Sequence, residues 1–515
     1  MRIVTFAVGI DNACFLRINS TQHYFASMDN NTATMGIDKV LDIFSQLNKI
    51  PRPSHHEERV AEFLCDYARQ LGLSFERDAQ NCVVIRKPAT PGYEDATPVV
   101  VLNHMDMVCV GMDNPLEDAI QPVVDENGWM SAKGTSLGAD NGIGLSMALA
   151  MLADDSIVHG PVEVITTTNE EDGMTGAAAL DPEFIKGRRV INLDSEDYDT
   201  ITTGAAGALI QVHRLPAQRR AATGGKRRWF RITIEGGKGG HSGVDIAKGR
   251  ASAVVLAWAL LAAIYNDVDL ELASIRVGEA SASIASSAEI VLSVPSGEAA
   301  EFVKEQEASF NEWIHAEYGD ADPDIRCRIE KTAPADTVVG EDAFHQFMEC
   351  MEQVPQGVIA MSTTLKDTVE TSNNVGRVFI EDDNIVVTTH TRSFNDNEMR
   401  KVAAEIAAVF AEAGAVSETL MEAPAWQENP ESPFLTLTSD VFNEVLGWRP
   451  RPVAMHFVLE AGYFVSKYPG IQMASIGPRI VEPHSTSERV LLSTVADIWK
   501  VFVVLLKKMA ETKDI

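Results

Sequence analysis

The sequence predicts an α/β fold, with a mixed, largely parallel sheet flanked by helices and interrupted by an inserted α+β domain. Three observations carry this reading. From Val99 onward, short Val- and Ile-rich runs alternate with helix-period segments, the pattern of strand–helix crossovers. That alternation stops near Gly204, gives way to segregated strands and helices, and resumes after Asn397. The chain has 515 residues, more than one hydrophobic core organises, so two domains are expected.

The elements follow in order. MGIDKVLDIFSQL is the first helix of the domain. VVVLNHMD reads as a buried strand and NGIGLSMALAMLAD as a helix; PVEVITTTN and RRVINLDSED are further strands. GAAGALIQVHRLPAQRRAATGGK is loop-rich and basic. Beyond it come the strand WFRITIEGG, the apolar helix ASAVVLAWALLAAI, the strand-like SASIASSAEIVLSV and the polar helix AEFVKEQEASFNEWIHAEYG. VGRVFIEDDNIVVTTHTRSF reads as a hairpin turning at Glu381 to Asn384. VAAEIAAVFAEAGA, SPFLTLTSDVFNEVLG and the terminal SERVLLSTVADIWKVFVVLLKKM are helical, with IQMASIG a strand between the last two. The expected domains are a first α/β part at 36–206, an inserted domain at 207–396 and a second α/β part at 397–515. Residues 1–35 are expected to be an appendage, disordered or not translated, with the start at Met28 or Met35; no small-residue cleavage site marks a signal peptide.

Composition narrows the function. The balance of 43 Lys and Arg against 74 Asp and Glu leaves a net charge of -31, which repels nucleic acid and anionic membranes. No apolar run reaches the roughly 20 residues that span a bilayer. The six cysteines are scattered with no C-x-x-C pair, which argues against a disulfide framework and for a reducing, cytoplasmic compartment.

The chemistry lies at the strand ends. His104 and Asp106 in NHMDMV share one face of a strand, so the carboxylate can orient the imidazole and leave its other nitrogen for a cation. Asp140 in GTSLGADNGIG follows a Gly-rich loop before a helix, a place where Asp also serves as an ordinary N-cap. Glu170 and Glu171 in VEVITTTNEEDGM end a strand, as does Asp194 in INLDSED, and His484 in GPRIVEPHSTSERV lies between a strand and the last helix. Each alone has a bland explanation: a structural histidine, a cap, a solvated turn. Together they occupy the rim where open α/β sheets bind ligands. His104, Asp140, Glu171, Asp194 and His484 supply the nitrogen and oxygen ligands of two metal ions, leaving Glu170 over. The lack of thiolates there favours zinc or manganese on nitrogen and oxygen ligands over a structural thiolate zinc site; zinc is the expected metal, with manganese or cobalt as alternatives.

NHMDMV, GADNGIG, NEEDGMTGA, NLDSED, GGHSG and PHS, in this order, resemble the dinuclear zinc exopeptidases that include aminoacylase and glutamate carboxypeptidase. The nearest likeness is to their aminoacyl-histidine, carnosinase-like Xaa-His dipeptidases. The resemblance implies that His104 and Asp194 hold one metal, Glu171 and His484 the other, and that Asp140 bridges them. It implies Asp106 behind His104 and Glu170 as general base. It makes the inserted domain a lid and homodimer surface, His241 in GGKGGHSGVD an oxyanion donor, and Asn374 and Arg392 binders of the substrate's backbone or carboxylate. Asp rather than Glu at position 194 favours unblocked dipeptides over N-acyl amino acids. HFVLEAG keeps His456 and Glu460 of the family's pattern, but Phe457 and Val458 are bulkier than the residues usual there, which leaves side-chain preference open. The expected activity is metallodipeptidase; the alternatives are an N-acyl amino acid amidohydrolase and a catalytically silent peptide-binding protein.

Overall fold

The computed structural model describes residues 33–512. The expected amino-terminal appendage falls outside these residues up to position 32. No helix among the described residues is long and apolar enough to cross a membrane.

The chain forms two compact units. The first holds residues up to Thr203, Asn429–Val453 and the chain from Lys467 onward. Its eight-stranded sheet runs in the order Ser74–Arg77, Val83–Lys87, Val162–Thr167, Val99–His104, Arg189–Asn192, Gln472–Ser475, Thr200–Ala205, Arg451–Met455. Its middle is parallel: Val99–His104 pairs in parallel with both Val162–Thr167 and Arg189–Asn192, and Gln472–Ser475 continues that direction. Every residue of Val99–His104 and Val162–Thr167 is buried, as helix-covered parallel strands require. Val99–Leu102 accordingly reads as a continuous apolar run, whereas Val162–Thr167 is interrupted by Glu163, which is buried against Arg86. The helix Ala139–Leu152 packs on Val99–His104 and is buried on all sides. Its close approach depends on Gly144, where a Cβ would lie 2.1 Å from the Leu193 carbonyl oxygen.

The second unit comprises Gly204–Glu428 and Ala454–Ser466. Its nine-stranded sheet is antiparallel, with the helices Ala253–Asp267, Glu298–Tyr318, Glu341–Gln353 and Asp396–Glu412 among its elements. Phe230, Leu260, Ile290, Phe347 and Phe410 lie in its core. The expected hairpin is present: Val369–Glu381 pairs with Asn384–Ser393, closing on Glu381 opposite Asn384. Its two turn residues, Asp382 and Asp383, have φ of 45° and 62°, the left-handed pair that a two-residue hairpin loop demands.

The expected boundary after residue 396 is corrected. The helix Asp396–Glu412 and the strand Val416–Ala423 belong to the second unit, because that strand hydrogen-bonds to Gly207–Pro216 and the helix packs on both. An amphipathic helix carries a buried stripe but no mark of the sheet it covers. Ala454–Ser466 also belongs to the second unit rather than to the first.

Candidate metal centre

In-register parallel pairing brings the strand ends of the first unit together. His104 lies opposite Thr167, and Leu102 opposite Asn192. The residues just beyond these ends are therefore neighbours: Asp106, Glu170 and Glu171, and Asp194. Asp140 enters from the start of the helix Ala139–Leu152. His484 does not pass straight from strand to last helix as expected. It sits in the loop between two short strands, Ile480–Val481 and Arg489–Leu491, and the second of these pairs with Trp129–Ala132, just ahead of the Asp140 loop. One small sheet thus sets the loops of both Asp140 and His484.

The five expected ligands converge. Asp140 divides its two oxygens between two imidazoles: Oδ1 is 3.1 Å from His104 Nε2 and Oδ2 is 3.2 Å from His484 Nε2. Asp194 Oδ1 lies 3.3 Å from the same His104 nitrogen, and Glu171 Oε2 lies 2.8 Å from the same His484 nitrogen. The result is two imidazole–carboxylate groups that share Asp140. Asn141 steadies Asp194, with its amide donating to that carboxylate and to the Leu193 carbonyl.

Asp106 is fully engaged behind the centre. It lies 3.6 Å from His104 Nδ1 and accepts from Ser54 Oγ at 2.8 Å. It also accepts the backbone N–H groups of Glu170 at 3.0 Å and Glu171 at 3.2 Å. One buried carboxylate therefore turns the imidazole and fixes the turn that carries both glutamates. Glu57 braces the same turn by accepting from the N–H of Asn169, whose φ is 53°. Nothing in the local motifs pointed to Ser54, Glu57 or Asn141; their partners are 52 or more residues away in sequence.

These residues fit divalent cations. One atom each of His104, Asp140 and Glu171 lie within 4.8 Å of one another. Glu171 Oε1 is buried and has no hydrogen-bond partner, an arrangement that a cation would relieve. The donors are all imidazole nitrogen and carboxylate oxygen, the set that suits zinc or manganese. The crowding of imidazoles and carboxylates shifts their pKa values. Burial pulls the His104 pKa down, but Asp194, Asp106 and Asp140 outweigh it and hold it well above the usual range. Hydrogen bonds to Asp140 and Glu171 push His484 up to about 11. Burial raises Asp194 and Glu171 above ordinary carboxylates. Burial pushes the neighbouring Glu196 up to about 8, helped by Asp140 and Asp194. Asp140 is also opposed by burial, yet its two histidines hold it well below the carboxylate range.

A pH dependence follows. Because the folded pKa of His484 is raised from 6.5 to about 11, its contribution to metal-free stability is complete below 6.5 and is lost as pH rises toward 11. Bound cations replace the protons and need neutral imidazoles. The unfolding temperature of metal-loaded over metal-free protein should therefore widen between about pH 6.5 and about pH 9. A constant gap in scanning calorimetry would contradict this.

The remaining expected residues lie in the second unit. His241 Nδ1 accepts the N–H groups of Gly243 and Val244, both at 3.1 Å. The imidazole is thus neutral with its proton on Nε2, and burial with nearby Arg392 lowers its pKa to about 4. Arg392 is buried, 3.4 Å from Ser242 Oγ, and burial alone pushes its pKa down to about 10. Asn374 spends both amide hydrogens on the carbonyls of Ser281 and Ser283, while its oxygen accepts from Gln356. Ser283 is the strand partner of His241, so Asn374 supports the segment that carries that histidine.

The model of peptidase family M20/M25/M40 matches residues 100–508. The chain is 34% identical over 472 residues to the cytosol non-specific dipeptidase of Escherichia coli K12, covering 91% of this chain and 97% of that one. Among solved structures it is similar to the aminoacylhistidine dipeptidase of Vibrio alginolyticus, with 34% identity, a TM-score of 0.85, and 91% and 96% of the two chains covered. It shares the fold of aminopeptidase PepT from Bacillus cereus, at 17% identity and a TM-score of 0.58 over 92% and 99% of the chains. The chain belongs to peptidase family M20/M25/M40.

Proposed function

We propose that the protein is a cytoplasmic, dinuclear metallodipeptidase that hydrolyses unblocked dipeptides, X-His among them. The observation that carries this is Asp140, whose two oxygens face two different imidazoles, each with its own second carboxylate. The relatives above are named as dipeptidases, and Asp at position 194 accords with that branch.

In this reading His104 and Asp194 would hold one ion, His484 and Glu171 the other, and Asp140 would serve both. Zinc is the preferred metal, with manganese or cobalt as alternatives. Two such cations would supply Lewis acidity for the scissile carbonyl and acidify the attacking water. Glu170 then takes the water's proton and passes it to the leaving amine; its neighbour Glu171 is a ligand, so the base stands beside the centre without being consumed by it. Asp106 orients His104 through Nδ1 and holds the Glu170 backbone.

The second unit serves as lid and homodimer surface. His241 is suited to its oxyanion role because its neutral ring donates from Nε2. Arg392 is a buried guanidinium suited to a substrate carboxylate, and Asn374 acts with it by holding the His241 strand. His241→Ala should lower kcat about 100-fold, as loss of one oxyanion donor does, with metal content unchanged. Unaltered kcat would remove His241 from this role. Phe457, edge-on to His241 at 6.1 Å between ring centroids, stands where it can shape side-chain preference.

The test is release of histidine from alanyl-histidine and β-alanyl-histidine by zinc- or manganese-loaded protein, with N-acetylhistidine beside them. Cleavage of the unblocked dipeptides alone is expected. Cleavage of the acetylated compound alone would make the protein an amidohydrolase on the same scaffold. Metal binding without cleavage of these or other dipeptides would make it a silent peptide-binding relative.

A further inference from the structure

We propose that Arg52 and Glu488 are positioning residues forming a buried frame that sets the bridging carboxylate Asp140 before any metal arrives. The proposal rests on the dinuclear reading above.

Glu488 is 2% exposed and accepts four consecutive backbone N–H groups. Its Oε2 takes Leu137 at 2.6 Å and Gly138 at 2.9 Å, and its Oε1 takes Ala139 at 2.8 Å and Asp140 at 3.3 Å. Arg52 is 1% exposed and works from the other side. It donates to the carbonyls of Met105 at 3.2 Å, Asp106 at 3.1 Å and Gly138 at 2.7 Å. The Gly138 residue is gripped at both ends, its N–H by Glu488 and its carbonyl by Arg52. Its φ is 67°, and a Cβ there would lie 2.5 Å from the guanidinium. Only glycine fits this grip.

Helix capping alone does not call for this arrangement. A neutral Ser, Thr or Asn at the N-cap would satisfy one of these donors, the Asp140 N–H, yet Gly138 has no side-chain cap and four N–H groups are held together. The cap comes instead from a carboxylate 348 residues beyond Asp140. Burying that charge beside Asp140 adds repulsion rather than relieving it. What the frame gains is connection. Glu488 follows His484 by one short loop, so it ties the His484 loop to the Asp140 loop. Arg52 ties the strand end after His104 to the same loop. Each of the two imidazole contacts of Asp140 therefore has its own brace.

Glu488→Gln replaces one accepting oxygen with a donor, leaving two backbone N–H groups facing an amide NH2. Both ions should bind about 10–100-fold more weakly in chelator competition, as for loss of a group that orients metal ligands. Excess zinc or manganese should restore turnover, with KM for alanyl-histidine unchanged. Arg52→Lys, which keeps the charge but not the fork, should weaken affinity in the same direction. Wild-type metal affinity in the two variants would overturn the proposal, even if their unfolding temperatures fall. A measurement on the unmodified chain makes the same test. Amide exchange at Leu137, Gly138, Ala139 and Asp140 should be protected equally in chelator-treated and metal-loaded protein. Protection that appears only with metal would show that the ion builds the loop, and the frame would be refuted. Wild-type protein that binds no ions, with these amides protected, would instead sink the metal reading and leave the frame as a structural feature.

Discussion

Glu170→Gln is expected to retain both divalent ions and lose turnover by about 10²–10⁴-fold, the range for removing a general acid–base group. The substitution preserves shape and leaves the backbone N–H of Glu170 on Asp106, so the turn that presents Glu171 stays in place. What disappears is the capacity to take a proton. Metal analysis beside kcat on alanyl-histidine separates the two effects. Wild-type-like turnover would remove Glu170 from the base role and turn attention to Glu196, the nearby carboxylate whose pKa is pushed up to about 8.

Asp140→Ala should abolish activity by dispersing the centre itself. Asp140 contacts both His104 and His484, and the same contacts raise both imidazole pKa values. Without it each imidazole keeps a single carboxylate, Asp194 or Glu171. Bound metal should fall from two ions per chain to one or none at stoichiometric loading. The metal-dependent gain in unfolding temperature should shrink with it. Retention of two tightly bound ions would show that the bridge is assigned to the wrong residue.

The convergence of the five candidate ligands was legible because each sits just past a recognisable element. Val99–His104, Val162–Thr167 and Arg189–Asn192 are short, buried and β-branched, so their ends show in the sequence, and parallel pairing in register then forces those ends together. The supporting residues were hidden for the opposite reason. Ser54 and Glu57 precede or begin a helix and act on a turn more than 50 residues away. Glu488 stands in the same quoted segment as His484, but a lone carboxylate has no spacing that marks it as the cap of a distant loop. Arg52 looks like any basic residue until burial shows what it holds.

Domain allegiance failed in a similar way. The helix Asp396–Glu412 has a clear amphipathic pattern with an Asn395 cap, and helix existence was read correctly. Which sheet it covers is decided by the strand Val416–Ala423, whose pairing with Gly207–Pro216 links segments about 200 residues apart. Local periodicity is silent on that. The Asn374 side chain shows the same limit. Its motif resemblance pointed to substrate and gave no sign that its amide hydrogens also reach Ser281 and Ser283.

The most direct measurement is a titration of chelator-stripped protein with zinc or manganese, following bound ions and alanyl-histidine hydrolysis together. The expected result is no turnover in the metal-free protein and full turnover only when two ions per chain are bound. Turnover that survives complete metal removal, or that reaches its maximum with a single bound ion, would contradict a two-ion centre bridged by Asp140.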